Sequence, residues 1–401
     1  MSPTRTWNPL EGRPLVTAVV FVAIGVMPLY LTSAQVISLD AALGFDAARL
    51  GIGTAVYFGL AAVVAQPVAA IVTRIGAQRG LQVGAFFSLI GSVAAATAVS
   101  WLAFLVAVGC AGLANAFMQV STNIVLARGA AFRRQGLSFG AKQGAVPLAS
   151  AVAGILLPSV GVALGWRWPY VLAIVLAFVV MFFAPEVDDR AANREQRGDG
   201  DRPPLSISLK LLALGGACGG AAGNAVSLFL VPAAVDIGTT EAAAGAILAV
   251  GSALVFLLRV GVGAFADRAG STGHLEMTVI LILGAIASFG LAFVSSTAVF
   301  VVVMPLALLG SWGWPGLIYF TVVRIHPEAT ARASGVILAS NLTGTLIGPS
   351  IVSQLADRGA YKAAWLFVAA LGVASAVFIA ASGLAFRKSS NQTAVPSISQ
   401  L

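Results

Sequence analysis

Gly263-Ala-Phe-Ala-Asp267-Arg268-Ala-Gly270 is a short charged turn between two long apolar runs of the chain. A related segment in the first half, Ala69-Ala-Ile-Val-Thr73-Arg74-Ile-Gly76, also lies between two apolar runs. Glycine permits tight turns because it adopts backbone conformations that are unfavourable for other residues. The two segments therefore predict an internally repeated chain in which charged turns join apolar helices.

The composition indicates an integral membrane protein. Hydrophobic residues make up 59% of the 401 residues and charged residues only 9%, whereas a soluble domain carries about 25% charged residues. The formal net charge of +8 is explained by basic loops at the membrane, so no nucleic-acid partner is expected. Cys110 and Cys218 lie inside apolar runs, and His274 and His326 share no ligand spacing, so the sequence predicts neither metal nor cofactor.

Apolar runs long enough to cross a membrane, about 20 residues each, occur twelve times in two sets of six. Spans 1 to 6 are predicted near residues 15–37, 48–73, 80–99, 102–127, 136–160 and 168–185. Spans 7 to 12 are predicted near residues 207–234, 241–266, 275–294, 298–322, 333–356 and 363–386. The predicted fold is an all-α membrane protein with two pseudo-symmetric six-helix bundles, residues 1–185 and 207–388, a cytoplasmic linker at 186–206 and a disordered cytoplasmic tail at 389–401.

The distribution of basic residues predicts the orientation. Of the 23 Lys and Arg residues, Arg49, Arg167, Arg358 and Lys362 fall at predicted outer loops, and almost all the others fall near the opposite side. Because basic residues are enriched in cytoplasmic loops, both termini and the linker are predicted to be cytoplasmic. We expect a multi-pass protein of the cell inner membrane.

The Gly-x-x-x-Asp-Arg-x-Gly turn resembles the loop signature of the major facilitator superfamily of secondary transporters. The resemblance implies parallel repeats of six spans around a midplane substrate site, a monomer, and transport rather than catalysis. It also implies a cytoplasmic gate that includes Arg74, Arg268 and Asp267, in which Asp267 meets the start of span 5 near Arg133 and Arg134. Thr73 stands where the family usually has Asp, so the mirror contact is expected to be weaker.

Charge within the spans is the main pointer to a site, because intramembrane charge is costly. None of the 15 acidic residues falls in the middle third of a predicted span. Lys142, near the head of span 5, is predicted to be the only charge within a span. It could snorkel to the surface or bind an anion in a central cavity. Gly136 and Gly335 align the two halves and make Asn341 the repeat mate of Lys142.

Further polar or aromatic side chains are predicted to line the substrate site. Asn115, Gln119 and Asn123 lie on one face of span 4 because they are spaced four residues apart; hydrogen bonding between helices is the alternative. The full predicted substrate-binding set is Lys142, Asn341, Asn115, Gln119, Asn123, Tyr30, Gln35, Asn224 and Trp312. The stretch Lys142-Gln-x-x-x-Pro147 resembles some bacterial cyanate and organic-anion permeases of the superfamily.

Two transporter classes remain open. The sequence contains no nucleophile–base pair and no nucleotide-binding motif, so an enzyme is not expected. One class moves a small organic anion of carboxylate type, with Lys142 as the counter-charge. The alternative is an antiporter that exports a neutral or lipophilic compound, as in drug efflux. The small-molecule substrate could be coupled to a proton or to a counter-substrate.

Overall fold

A computed structural model describes residues 9–129, 135–185, 205–326 and 330–394. Within these residues all regular elements are helices. Eleven helical segments are long and apolar enough to cross a membrane, and the helix Trp168–Met181 is apolar but shorter. The predicted class, an all-α multi-pass membrane protein, is therefore confirmed.

We number the membrane helices α1 to α12, so that they correspond to spans 1 to 12. In the first half, α1 is Pro9–Ala34, α2 is Ala47–Ile75, α3 is Ala77–Ala96, α4 is Trp101–Gly129, α5 is Gln135–Leu156 and α6 is Trp168–Met181. In the second half, α7 is Ile207–Asp236, α8 is Glu241–Ala269, α9 is His274–Leu291, α11 is Thr330–Asp357 and α12 is Tyr361–Ala394. Helix α10 has two parts, Thr297–Trp312 and Pro315–Ile325.

Helix ends depart from the predicted spans at three places. Helix α1 stops at Ala34, and a separate short helix, Val36–Leu43, follows it. Helix α6 is only 14 residues long, although a full span was predicted there. Helix α12 continues to Ala394, past the predicted start of a disordered tail at residue 389. The residues from 389 to 394 include neither Gly nor Pro, so nothing in their backbone chemistry ends the helix earlier.

Proline accounts for two irregular helices. Proline has no N–H to donate and its ring clashes with the carbonyl four residues before it. After α5, a π-helical turn, Leu157–Gly161, contains Pro158 near its beginning, and Val162–Leu164 then completes the crossing. In α10 the helix is interrupted directly before Pro315.

The packing of buried apolar residues differs between the two sides of the protein. We call the side at which α1 begins and α12 ends the near side, and the opposite side the far side. On the far side, buried residues of all twelve helices form one continuous core that joins the two bundles. On the near side the core of the second bundle is separate from those of the first. The bundles therefore share a core only in their far half.

Close helix contacts join the bundles along α5 and α8. A methyl group at Gly263 would lie 2.3 Å from the carbonyl oxygen of Gly136, and one at Gly154 would lie 2.6 Å from the carbonyl oxygen of Gly245. The other seam joins α2 to α11, where a methyl group at Gly51 would collide with the Ser353 side chain. The glycine of the charged turn is thus needed for the close approach of two helices.

Candidate functional site

Arg259 lies buried at the seam between the two bundles, with a relative exposure of 3%. It lies ten residues before the near end of α8 at Ala269, or about 15 Å along the helix axis. The prediction that Lys142 is the only charge within a span is therefore wrong. Arg259 lies seven residues from the predicted near end of span 8, about as deep as Lys142 in span 5, so the sequence alone already contradicts that prediction.

The guanidinium of Arg259 bonds to main-chain oxygens from both bundles. Its Nε donates to the carbonyl oxygen of Trp312 over 2.9 Å, and Nη2 donates to the same oxygen. Its Nη1 donates to the carbonyl oxygen of Gln143 on α5. The guanidinium carbon also lies 5.0 Å from the centre of the Trp312 ring, at the distance of a cation–π contact. One side chain thus links α5, α8 and α10.

Both acceptor carbonyls are available because of local helix chemistry. In an α-helix the carbonyl of Gln143 would accept from the N–H of residue 147, but residue 147 is proline and has none. Trp312 ends the first part of α10, so its carbonyl belongs to a last turn without intrahelical donors. The neighbouring carbonyl of Ser311 accepts instead from the indole Nε1 of Trp314 over 3.0 Å.

Arg259 has no carboxylate partner among the described residues. The ion pair found there joins Arg49 and Asp46, at 3.6 Å on the far side. The two carbonyls occupy three of the five N–H groups of the guanidinium, which leaves two for a ligand. A buried charge normally requires a paired opposite charge. This site therefore offers a positive charge with free donors to an anion.

Three of the predicted residues come together beside Arg259. The Tyr30 hydroxyl on α1 donates to Oδ1 of Asn224 on α7 over 3.3 Å, which connects the two bundles. The centres of the Tyr30 and Trp312 rings are 5.6 Å apart. All three side chains are buried. Tyr30, Asn224 and Trp312 thus form the far-side wall of the arginine site.

A second polar group lies on the near side of Arg259. The Tyr319 ring on α10 stacks on Phe139 of α5 with centres 6.2 Å apart, and the Tyr319 hydroxyl lies near the side-chain amides of Gln143 and Asn341. The Oδ1 atom of Asn341 is buried without a hydrogen-bond partner among the described residues. Asn341 is therefore an unsatisfied acceptor close to the arginine site.

Lys142 points away from its repeat mate. It is buried, with a relative exposure of 3%, and its Nζ donates to Oδ1 of Asn123 on α4. Asn123 is exposed. Asn341, the repeat mate of Lys142, packs on Gly220 of α7 and lies near Tyr319. Equivalent positions in the two repeats face different neighbours.

The remaining predicted residues lie apart from this cluster. Gln35 is buried at the far-side break of α1, where its Oε1 approaches Gly161. Asn115 is buried next to Gly25 of α1, and its Oδ1 has no partner among the described residues. Gln119 is partly buried one turn away on the same face of α4.

Asp267 makes the contact that the loop signature implied. Its Oδ1 accepts from the N–H of Gly136 over 3.0 Å and its Oδ2 from the N–H of Leu137 over 2.9 Å. The carboxylate thus caps α5 from the other bundle, where helix N–H groups lack intrahelical partners and favour negative charge. The predicted partners Arg133 and Arg134 lie outside the described residues.

The mirror position has no such cap. The Thr73 hydroxyl donates to the carbonyl of Ala69 in its own helix over 2.7 Å. Gly335, the repeat mate of Gly136, has open space around it. Arg74 and Arg268 are both exposed. The near side is therefore closed by a carboxylate at the α5–α8 seam but not at the α2–α11 seam.

Comparison with known families gives a match that covers most of this architecture. A family model described as Major Facilitator Superfamily matches residues 15–337, which extend from α1 into α11 and include Arg259, Lys142 and Asp267. No individual curated protein matches the chain with significant similarity.

Proposed function

Because the chain belongs to the Major Facilitator Superfamily, a family of secondary transporters, we propose that it moves a small organic anion of carboxylate type across the membrane by alternating access. The observation that carries this proposal is the buried guanidinium of Arg259, which has free donors and no carboxylate partner among the described residues. Arginine binds planar carboxylates through paired N–H groups. A substrate carboxylate would supply the missing opposite charge.

The position of the site supports transport rather than passive packing. Arg259 contacts both bundles, as a site between the halves of a repeated transporter must. The shared far-side core closes one route to the site. On the near side the cores are separate, and the Asp267 cap holds only the α5–α8 seam. We assign Asp267 and Arg268 to the near-side gate.

Lys142 adds a second basic side chain on the first bundle. It precedes Gln143, whose carbonyl binds Arg259, and its own partner is the neutral amide of Asn123. A cation from each bundle would let one anion hold the halves together. The short resemblance to cyanate and organic-anion permeases agrees with this assignment.

Export of a neutral or lipophilic compound, as in drug efflux, is the competing function, and many such compounds are cationic. A cationic substrate requires a negative group in the site, yet the permanent charge there is the positive guanidinium of Arg259. No buried acidic side chain occurs in the described part of the chain. The charges of the site thus favour an anion over a cationic drug.

Thermal-shift measurement on the purified protein tests the substrate class. Acetate, lactate and succinate represent carboxylates, ethidium represents cationic dyes, and sodium chloride controls for ionic strength. A ligand that binds only the folded protein raises its melting temperature. We expect at least one carboxylate to stabilise the protein beyond the chloride control and ethidium to have no effect. Stabilisation by ethidium alone would favour drug export.

A further inference from the structure

We propose that Lys142 is the proton-coupling residue: its amine takes up one proton when the substrate anion binds and releases that proton when the anion leaves. This inference rests on the proposed function, because it assumes that the substrate is an anion bound between the bundles. In this proposal Arg259 and Lys142 have different roles. Arg259 supplies a permanent charge and Lys142 supplies a charge that can be switched.

The surroundings of Lys142 make a permanent ammonium costly. Its side chain is 3% exposed, and its Nζ contacts the neutral Oδ1 of Asn123. Desolvation disfavours a charged group unless an opposite charge compensates. No carboxylate lies within ion-pair distance of Lys142 in the ranges that the structure describes. The neutral amine is therefore the favoured state of the empty site.

Among the described residues, the acidic group that contacts α5 is Asp267 of α8, and its carboxylate is bonded to the N–H groups of Gly136 and Leu137 at the start of α5 rather than to Lys142. Helix α1 contributes Tyr30, α8 contributes Arg259 and α10 contributes Tyr319 to the space between the bundles. Helix α4 contributes the amide of Asn123. The positive charge of Arg259 adds to the cost of a second cation on α5. Binding of an anion would lower this cost and make the ammonium form of Lys142 the favoured state.

The two cations differ in their chemistry. A guanidinium stays protonated in proteins, whereas a lysine amine loses its proton readily when it is buried. An incoming carboxylate pairs with Arg259 and lowers the cost of charge at Lys142. The Lys142 lone pair then accepts a proton from water and becomes an ammonium. A monocarboxylate and its proton would thus move together without net charge.

Asn123 indicates how the proton reaches the amine. Asn123 is exposed although its partner Lys142 is buried, so the amide that accepts the Lys142 hydrogen bond belongs to a surface residue. Asn123 also lies six residues before the near end of α4 at Gly129, or about 9 Å along the helix axis. The proton therefore exchanges from the near side when the cores there are apart.

Isothermal titration calorimetry of the full-length protein tests the coupling. Acetate, lactate and succinate are each titrated at about pH 8 in phosphate and in Tris, whose different ionisation enthalpies reveal proton exchange. At this pH the free carboxylates carry no proton, since their pKa values lie near 4. We expect the wild type to take up about one proton per bound carboxylate, and its affinity to fall about tenfold per pH unit at higher pH.

Three variants test whether Lys142 is the group that takes up the proton. Lys142→Arg should bind carboxylate without proton uptake, because its charge is permanent. Lys142→Gln should take up no proton and bind more weakly. Lys210→Gln, an exposed lysine at the near end of α7, should behave like the wild type.

Two results would overturn the assignment of the proton to Lys142. They are carboxylate binding to the wild type without proton uptake, and undiminished uptake by Lys142→Arg. Failure of all three carboxylates to bind the wild type is a different result. It would overturn the proposed function, and the coupling with it.

Discussion

Arg259 on α8 donates a hydrogen bond to the main-chain carbonyl of Gln143 on α5, so one buried side chain joins the two bundles. The acceptor is free because Pro147, four residues further along α5, has no N–H. The same guanidinium also bonds to the carbonyl that ends the first part of α10. A proline and a helix break thus create the acceptors that hold a charge deep in the membrane.

Replacement of Pro147 tests whether its missing N–H leaves the Gln143 carbonyl free to bind Arg259. Pro147→Ala should give the Gln143 carbonyl an intrahelical donor that competes with Arg259. Carboxylate affinity, measured by calorimetry, should fall about fivefold, or roughly 1 kcal/mol, the value of a typical hydrogen bond. Pro67→Ala in the middle of α2 is the matched control, because Pro67 lies outside the arginine site. Equal carboxylate affinities of both variants and the wild type would show that Pro147 does not contribute to anion binding at Arg259.

The carboxylate of Asp267 should stabilise the closed α5–α8 seam. Asp267→Asn weakens a charged cap on two N–H groups, which costs about 1–3 kcal/mol. A cysteine in place of Ser138, a partly buried residue two positions after Gly136, should therefore react faster with a water-soluble maleimide in the Asp267→Asn background. Thr73→Val is the control, because Thr73 bonds within its own helix. Unchanged maleimide reactivity in the Asp267→Asn background would show that the Asp267 carboxylate does not hold the α5–α8 seam closed.

Two glycines in α8 should respond differently to the same substitution. Gly263→Ala would place a methyl group 2.3 Å from the Gly136 carbonyl oxygen, whereas nothing lies within 4 Å at Gly261. Overpacking of this kind costs about 1–3 kcal/mol. The melting temperature of purified Gly263→Ala should therefore fall, and that of Gly261→Ala should stay the same or rise. Equal melting temperatures would mean that the helices do not approach so closely.

The charge bias predicts which side faces the cytoplasm. Single cysteines at positions 46, 199 and 389 are tested in intact cells with a membrane-impermeant maleimide. Only the cysteine at position 46 should be labelled from outside, because the far side carries few basic residues. Labelling at position 199 from outside would reverse the orientation.

Much of the fold could be predicted from hydropathy alone, because long apolar runs and charged turns leave few alternatives. The contact of Asp267 with the start of α5 followed from the loop signature. Its partners among the described residues are N–H groups of Gly136 and Leu137, which every helix start offers. The sequence cannot identify such partners, because every residue except proline has a backbone N–H.

The site was harder to predict than the fold. Tyr30, Asn224 and Trp312 were chosen as intramembrane polar or aromatic residues, and they do lie together. Arg259 was missed although it lies seven residues inside predicted span 8, so hydropathy alone could have identified it. Pro147 was a usable signal, since it leaves the Gln143 carbonyl without its helical donor, and Pro315 marks the helix break beside the Trp312 carbonyl. Repeat alignment paired Lys142 with Asn341 but could not predict that the two positions have different neighbours.

The most direct test of the anion site is the carboxylate affinity of the Arg259→Gln variant. The measurement is calorimetric titration with the carboxylate that stabilises the wild type most among acetate, lactate and succinate. Loss of one partner of a buried charge pair costs about 2–5 kcal/mol, so affinity should fall by a factor of roughly 30 or more. Arg324→Gln is the control, because Arg324 is exposed and only covers the Phe320 ring; it should bind like the wild type. Wild-type carboxylate affinity in folded Arg259→Gln would show that Arg259 does not bind the substrate anion.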